Sequence, residues 1–518
     1  MSAERPIPPG FEAPPEDWAR MTPDAVAVVD GDRTMSFGEW SARADRLADA
    51  LVRHTPTATR AAVRGHQSLD WFVIRLALAK LRWEHIAVSW RLTPYEVAGI
   101  LGDCRPAWCF VDDREPARLA EVCAAQDVRM VSMTGASAGA TTLDALLAEG
   151  VPVPRHSDPR APFVSYSSGT TGKPRGARKR RARDADDRKR ISEFVAPTTP
   201  ASRRTRSRRA LLTLPLHHGA GVKAARTCHL SGGTVYLLDR YDPVRALELI
   251  QRHRITEWKL VPTMLHRLRA LPPEVLESYD VSSLRAVSVG SASTPWPLKE
   301  WVLDHFGPVL YEGYGATEVG MVAVMPPGGH RRRPGSCGRL RPHVEVRVVD
   351  AEDRELPRGE VGELLVRTPI AIESYLNDEG ASTGTVTTDG FVRVGDLGWL
   401  DESDYLYIAG RAKDMIIAGG VNIYPAEVEN AMMEHPDVVE VAVVGVPEAT
   451  FGEQVVAYCE VRPGSALTGA DLVGFLEPRL APYKRPRHIR FVTEFPRNPM
   501  GKVIKAALRD DYLTENAI

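Results

Sequence analysis

Cysteine is scarce and unpaired in this chain: six residues in 518, at Cys104, Cys109, Cys123, Cys228, Cys337 and Cys459, with no Cys-x-x-Cys among them. That scatter excludes a disulfide framework or a cysteine zinc site and predicts buried free thiols, with no structural metal. Long hydrophobic runs are missing too. None approaches the roughly 20 apolar residues that span a bilayer, so no membrane partner is expected. The start, Met1-Ser2-Ala3-Glu4-Arg5-Pro6, lacks the basic lead and apolar centre of a secretory signal, which predicts a cytoplasmic protein. Nor is there an excess of one charge. With 66 basic and 67 acidic residues the formal net charge is -1, which argues against a globally basic nucleic-acid binder. No repeat of solenoid length occurs, and the helix-opening phosphate motif Gly-x-x-x-x-Gly-Lys-Ser/Thr is absent.

What is present is a large apolar complement, 43% of the residues, in a chain long enough for more than one domain. Residues 36 to 111 alternate between helical and strand patterns, with Ala42 to Val52 at helical spacing and Trp108-Cys109-Phe110-Val111 as a buried strand. The alternation returns with a strand at Gly233 to Leu238, a helix at Val244 to His253 and a strand at Trp258 to Val261. Such a pattern predicts parallel sheets covered by helices. Residues 340 to 366 differ: Val344 to Val349 and Glu363 to Val366, broken by Gly and Pro, predict antiparallel β structure of barrel-like form. After Gly410 a mixed α+β pattern follows, with a helix from Pro425 to Met433, strands at Val438 to Val446 and Gln454 to Val461, and a helix near Asp471 to Leu480.

The richest stretch for chemistry is Tyr166-Ser167-Ser168-Gly169-Thr170-Thr171-Gly172-Lys173-Pro174. Four hydroxyls and two glycines precede a lysine, a composition suited to cradling a polyphosphate, because glycine lets backbone N–H groups approach an anion. Four more segments follow in order. They are Tyr314-Gly315-Ala316-Thr317-Glu318; Gly395-Asp396; Gly410-Arg411-Ala412-Lys413-Asp414 running on to Gly419-Gly420-Val421-Asn422-Ile423-Tyr424-Pro425; and Pro496 to Lys502, with Gly501-Lys502 at its end. Together these five resemble the adenylate-forming superfamily, which includes acyl- and aryl-CoA ligases, luciferase and peptide-synthetase adenylation domains. The resemblance covers nearly the whole chain.

It implies an α/β fold: a large N-terminal domain of two βα subdomains plus a small β-barrel-like subdomain (1–410), then a small mobile α+β domain (411–518) hinged at Lys413. It implies ATP and Mg²⁺. Ser167, Ser168, Gly169, Thr170, Thr171, Gly172 and Lys173 would hold the β- and γ-phosphates, while Thr317 and Glu318 would meet the α-phosphate, Glu318 as the Mg²⁺ ligand. Tyr314 with Gly315 would stack on adenine opposite Ser291 and Ala292; Asp396 and Arg411 would contact the ribose. Lys502 would bridge the attacking carboxylate and the α-phosphate, and His218 would gate the acid. Gly419, Gly420, Asn422 and Tyr424 would line the CoA channel after rotation of the C-terminal domain. The strand carrying Trp258 and Lys259 would border the acid pocket. A lysine there would pair an anionic group of the substrate or point to solvent; facing inward, it disfavours a simple fatty acid.

The expected activity is ATP-dependent activation of a small or aromatic acid as acyl-AMP, followed by transfer to CoA or to a separate carrier protein. An alternative is activation of an unusual oxyacid such as nitrite, with an amine acceptor, as in secondary metabolism. Sixteen residues follow Lys502, which suggests no fused carrier domain and a stand-alone monomer or homodimer. Departures from the family pattern stand at Arg175, Thr368, Ser374, Val394, Asp404 and Val421. The basic segment from Arg178 to Arg209 reads as a solvated or disordered surface, with a landing site for a polyanion as the alternative.

Overall fold

The computed structural model describes residues 12–112, 116–135, 141–158, 161–168, 174–180, 182–196, 208–292, 294–376, 385–448, 450–498 and 502–516. The chain forms two compact units. The first comprises Met1–Leu260, Pro273–Val287 and Ile370–Val386; the second comprises Val261–Pro272, Ser288–Pro369 and Thr387–Ile518.

The first unit is built on predominantly parallel strands. One sheet runs in the order Ile372–Tyr375, Pro174–Lys179, Phe163–Ser168, Glu84–Val88, Arg60–Arg64, Trp108–Val111, Arg129–Ser132 and Thr141–Thr142. Its central strands Glu84–Val88 and Trp108–Val111 are buried along their whole length, as expected of parallel strands covered on both faces. A second run of strands has the order Glu257–Leu260, Arg209–Leu212, Thr234–Leu237, Val26–Asp30 and Arg33–Ser36. The helices Phe37–His54 and Leu69–Leu81 join both to one apolar core, which contains Leu47, Leu51, Phe72 and Ile74 with Val63, Phe110, Leu212 and Val235. The helix Phe37–His54 begins where the Ser36 hydroxyl accepts from the N–H of Glu39, and it buries Phe37, Trp40, Ala44, Leu47, Ala48 and Leu51 along one stripe.

The second unit changes sheet type, as the sequence predicted for residues 340 to 366. An antiparallel ladder runs in the order Glu345–Val349, Gly362–Arg367, Val392–Leu400, Tyr405–Arg411, Ser336–Leu340, Gly320–Met325 and Leu310–Ala316. The strand Val392–Leu400 alternates buried and half-buried residues along its length. Beyond Arg411 a separate sheet of Ile416–Ala418, Val421–Ile423, Val438–Glu448, Gly452–Val461 and His488–Phe491 packs on the helices Pro425–Met433, Gly469–Leu476 and Lys505–Glu515.

The described part of the basic segment is mostly exposed, as a solvated surface would be, and includes a helix. A helix, Ala185–Val195, is capped by the Asp184 side chain and anchored by buried Phe194; residues 197–207 lie outside the described residues. Its flanking arginines meet nearby acids: Arg178 with Glu84 at 2.8 Å, Arg180 with Asp187 at 3.0 Å, and buried Arg208 with Glu257 at 2.5 Å. All six cysteines are free; Cys337 is half-buried and the other five are buried. No described helix is long and apolar enough to cross a membrane.

One polar element crosses the first core. Lys80 places Nζ 2.8 Å from Asp45 Oδ1 and donates to the Ser41 hydroxyl at 3.0 Å, with its side chain fully covered. Removing one partner of such a pair leaves an uncompensated buried charge. We expect Asp45→Ala to lower stability by roughly 3–5 kcal/mol and Asp45→Ala/Lys80→Met to recover most of the loss. Denaturant titration of the three proteins checks this; a single variant that unfolds like the wild type would contradict it.

Candidate active site

In the second unit, Asp396 lies on the strand Val392–Leu400, just after Gly395, and is 5% exposed. Tyr314, on the strand Leu310–Ala316, donates its phenol to Asp396 Oδ2 at 2.5 Å. Arg411 ends the adjacent strand as the cross-strand partner of Asp396, so register alone brings its Nε to 2.9 Å from Oδ1; a second nitrogen donates to the Val394 carbonyl at 3.1 Å. Burial pushes the Asp396 carboxyl above its usual range, although Arg411, the Tyr314 hydrogen bond and Lys502 all favour the charged form. Burial, then the Asp396 charge, raises the Tyr314 phenol well above its ordinary value, so the phenol remains a donor.

Lys502 joins this group from the other end of the chain. It is fixed at its backbone: its N–H donates to the Asn498 side-chain oxygen at 3.0 Å, and its carbonyl accepts from the Asn498 N–H at 2.8 Å. The tip of that loop, residues 499–501, lies outside the described residues. Lys502 is half-buried, and burial lowers its pKa from 10.5; Arg411 lowers it further and Asp396 opposes both. The structure therefore brings Tyr314, Asp396, Arg411 and Lys502 together.

Thr317, Glu318 and Val319 form the turn of a hairpin between Leu310–Ala316 and Gly320–Met325. A side chain at Gly315 would sit 2.2 Å from the Gly320 carbonyl oxygen, so the hairpin admits only glycine there. Glu318 is half-buried on the turn. Ser291, half-buried, follows the strand Ala286–Gly290 with φ 71°, a left-handed conformation uncommon for serine that points to a constrained site; Ala292 beside it is exposed.

In the first unit, the strands Phe163–Ser168 and Pro174–Lys179 pair antiparallel, with Ser167 opposite Arg175 and Ser168 opposite Pro174. The connection Gly169, Thr170, Thr171, Gly172 and Lys173, and the side chains of Ser167 and Ser168, lie outside the described residues. His218 caps the helix Gly219–Leu230, its Nδ1 accepting from the Ala220 N–H at 3.2 Å, which leaves the proton on Nε2. Its neighbour His217 went unremarked in the sequence. Both His217 ring nitrogens are buried without a hydrogen-bond partner among the described residues, and burial, with His218, Arg91 and His66, pushes its pKa down to about 3. Nothing in the residue pattern distinguishes the two histidines; their ring nitrogens differ in having a hydrogen-bond partner, as His218 does and His217 does not among the described residues.

The expected pocket strand needs a correction. Trp258 is 1% exposed and donates to the Thr213 hydroxyl at 3.3 Å, so it is a core side chain rather than a cavity wall. Lys259, one residue on, faces the other side of the sheet and is half-buried.

Lys413 is exposed in the short 3₁₀ turn Ala412–Asp414 between the strands Tyr405–Arg411 and Ile416–Ala418. Gly419 and Gly420 have φ 59° and 78° and close the two-residue hairpin from Ala418 to Val421, a turn that requires positive φ at both positions. Asn422 is exposed and Tyr424 half-buried just beyond it.

Residues 15–376 match the AMP-binding enzyme family and residues 427–502 the AMP-binding enzyme C-terminal domain. The chain belongs to this family. Its relatives include an indoleacetate–CoA ligase of Aromatoleum aromaticum, 36% identical over 95% of this chain and 96% of the relative. A fatty acid–[acyl-carrier-protein] ligase, ScoC of Streptomyces coeruleorubidus, is 32% identical over 96% of both. Among solved structures, the amide bond synthetase McbA of Marinactinospora thermotolerans superposes with a TM-score of 0.81 at 29% identity, covering 96% of this chain and 100% of that one.

This AMP-binding enzyme is an ATP-dependent ligase, and its departures from the family pattern acquire physical reasons. Val394 is buried at 8% exposure, where an apolar side chain packs well. Asp404 takes a left-handed φ of 61° and pairs with Arg358 at 2.8 Å. Buried Thr368 donates its hydroxyl to the Val319 carbonyl at 2.8 Å and so braces the Thr317-Glu318 turn. Thr368→Val leaves that carbonyl unsatisfied, a cost of about 1–3 kcal/mol, and should raise the KM for ATP several-fold, whereas Thr368→Ser keeps wild-type behaviour. Pyrophosphate-release kinetics on the two variants test this; equal KM values would remove the brace from the account.

Proposed function

We propose that this enzyme converts a small or aromatic carboxylic acid and ATP to acyl-AMP and pyrophosphate, then passes the acyl group to the thiol of CoA. The acid oxygen attacks the α-phosphorus as pyrophosphate leaves, and both reactants are anionic. Positioning and charge neutralisation therefore carry most of the catalysis. The observation that carries the reading is the meeting of Lys502 with Asp396, Arg411 and Tyr314.

In this reading Asp396 and Arg411 hold the ribose, and Tyr314 stacks on the base against Ser291 and Ala292. Ser167, Thr170, Thr171 and Lys173 hold the β- and γ-phosphates, and Thr317 contacts the α-phosphate. His218 gates the acid. Lys502 bridges the attacking carboxylate and the α-phosphate, where a flexible point charge follows charge as it moves. Glu318, a hard carboxylate oxygen half-exposed on a turn, fits Mg²⁺; when bound, the ion neutralises phosphate oxygens. Residues 411–518, with their own sheet and apolar cores, form the moving domain and Lys413 its hinge, so that Gly419, Gly420, Asn422 and Tyr424 meet the pantetheine arm in the second step.

The acceptor is tested separately, because the relatives are named for CoA, a carrier protein and an amide bond. An acid panel run with CoA, a carrier protein, amines or no acceptor, and including nitrite, reads both half-reactions. Product formed with amines but not with CoA would overturn the thiol assignment.

Lys502→Ala should lower pyrophosphate release by orders of magnitude while ATP binding persists. The lysine acts as a cation, so activity present at neutral pH is lost as pH rises through its folded-state pKa, which burial has lowered. The alkaline limb of kcat/KM should therefore lie below the ordinary 10.5 and vanish from the residual activity of Lys502→Ala. Near-normal pyrophosphate release by that variant would refute the role. Lys413→Pro should spare pyrophosphate release and block thioester formation; equal loss of both would count against a hinge.

A further inference from the structure

The antiparallel ladder of the second unit is curled by its own connectivity. Ser336–Leu340 and Glu345–Val349 are joined by residues 341–344 alone, yet three strands, Tyr405–Arg411, Val392–Leu400 and Gly362–Arg367, stand between them in the ladder. Laid flat, the two would lie roughly 19 Å apart. A four-residue link cannot span that when it also contains a turn, closed by the Val344 N–H on the Arg341 carbonyl at 3.2 Å. The ladder therefore rolls up, and a cavity of about 570 Å³ lies where its two ends approach.

Buried Val344, Leu400 and Phe391 form the apolar part of its wall. The charged part is mostly arginine. Arg339, Arg341, Arg347 and Arg358 line the cavity, against the carboxylates of Glu345 and Asp404. Arg358 donates to Asp404 at 2.8 Å, and Glu345 pairs with Arg367, so both wall carboxylates are already paired. Arg347 donates to Asp389 at 2.7 Å and lies 4.1 Å from the centre of the Phe391 ring. Arg341 is 7% exposed, and burial lowers its pKa. Arg339 is exposed, and its side chain has no hydrogen-bond or ion-pair partner among the described residues. None of Tyr314, Asp396, Arg411 and Lys502 lines this cavity.

Cavities of roughly 300–1,000 Å³ hold organic ligands rather than single ions. Guanidinium groups take phosphate oxygens in bidentate pairs, and arginines on different walls suit more than one phosphate group. We propose that this cavity is a second anion-binding site, separate from that for ATP, and takes a nucleoside diphosphate, with Arg339 and Arg341 on its phosphates and Val344 and Leu400 against its apolar part. An anion held there favours the charged form of the buried Arg341. The inference does not depend on which acid the enzyme activates.

Equilibrium dialysis of the full chain against labelled ADP counts the sites. Arg339→Glu should bind one ADP fewer per chain than the wild type, and its KM for ATP in pyrophosphate release should be unchanged. Arg339→Ala should weaken the same site at least about tenfold, the loss expected when a charged hydrogen-bond partner is removed. Because Arg339 is exposed, both variants should melt with the wild type. Inorganic pyrophosphate should displace this ADP only at concentrations at least about tenfold higher, since it leaves the apolar wall uncovered. An unchanged ADP count in Arg339→Glu, or a lost ADP accompanied by a raised KM for ATP, would overturn the site. Displacement by pyrophosphate at equal concentration would overturn the nucleotide as its ligand.

Discussion

Burying the carboxylate of Asp396 is the constraint from which the second unit's site follows. A carboxylate withdrawn from water must be answered by donors or give up its charge, and three answers converge on it from separate parts of the chain. Arg411 comes from the neighbouring strand by register, Tyr314 from the hairpin strand, and Lys502 from near the chain's end. Each would be weak between exposed groups; against a carboxylate as covered as Asp396 each is stronger. That is how motifs so far apart in sequence act as one unit.

The same economy runs through the supporting structure. Buried polar groups are paired where the fold needs rigidity, as in Lys80 with Asp45, Lys299 with Glu312 at 2.6 Å, and Arg208 with Glu257. The Lys299 pair ties the helix Trp296–His305 to the strand that carries Tyr314. Against this background the unanswered groups stand out. His217 has two unpaired ring nitrogens among the described residues and Lys259 an ammonium affected only by its burial. Both belong to the first unit.

Much of the architecture was legible because hydrophobic period reports secondary structure directly. The helical spacing of Ala42 to Val52, inside the helix Phe37–His54, the helices Val244 to His253 and Pro425–Met433, the buried strand Trp108–Val111 and the switch to antiparallel strands after residue 340 all follow from spacing. Period also says that Trp258 and Lys259 lie on opposite faces of a strand, but not which face is core. The family resemblance put the strand beside the acid pocket and left the lysine to face a substrate or solvent; packing buries the tryptophan and leaves the lysine half-buried. In the arginine-rich segment, charge counts do not reveal that Asp184 caps a helix, or that Arg178 and Arg208 meet Glu84 and Glu257 on distant strands. Thr368 stands out in the sequence only as a departure from the family pattern, because its partner is a backbone carbonyl, which no side-chain pattern records.

The sequence by itself determined the element types, the family, and the residue types available for chemistry, because these depend on local spacing and on ordered motifs. Tertiary structure alone decided which of those groups are buried, which meet a partner and which are left waiting. Burial and pairing are properties of neighbours brought together across the chain, and they set the charge state of Asp396, Lys502, His217 and Lys259.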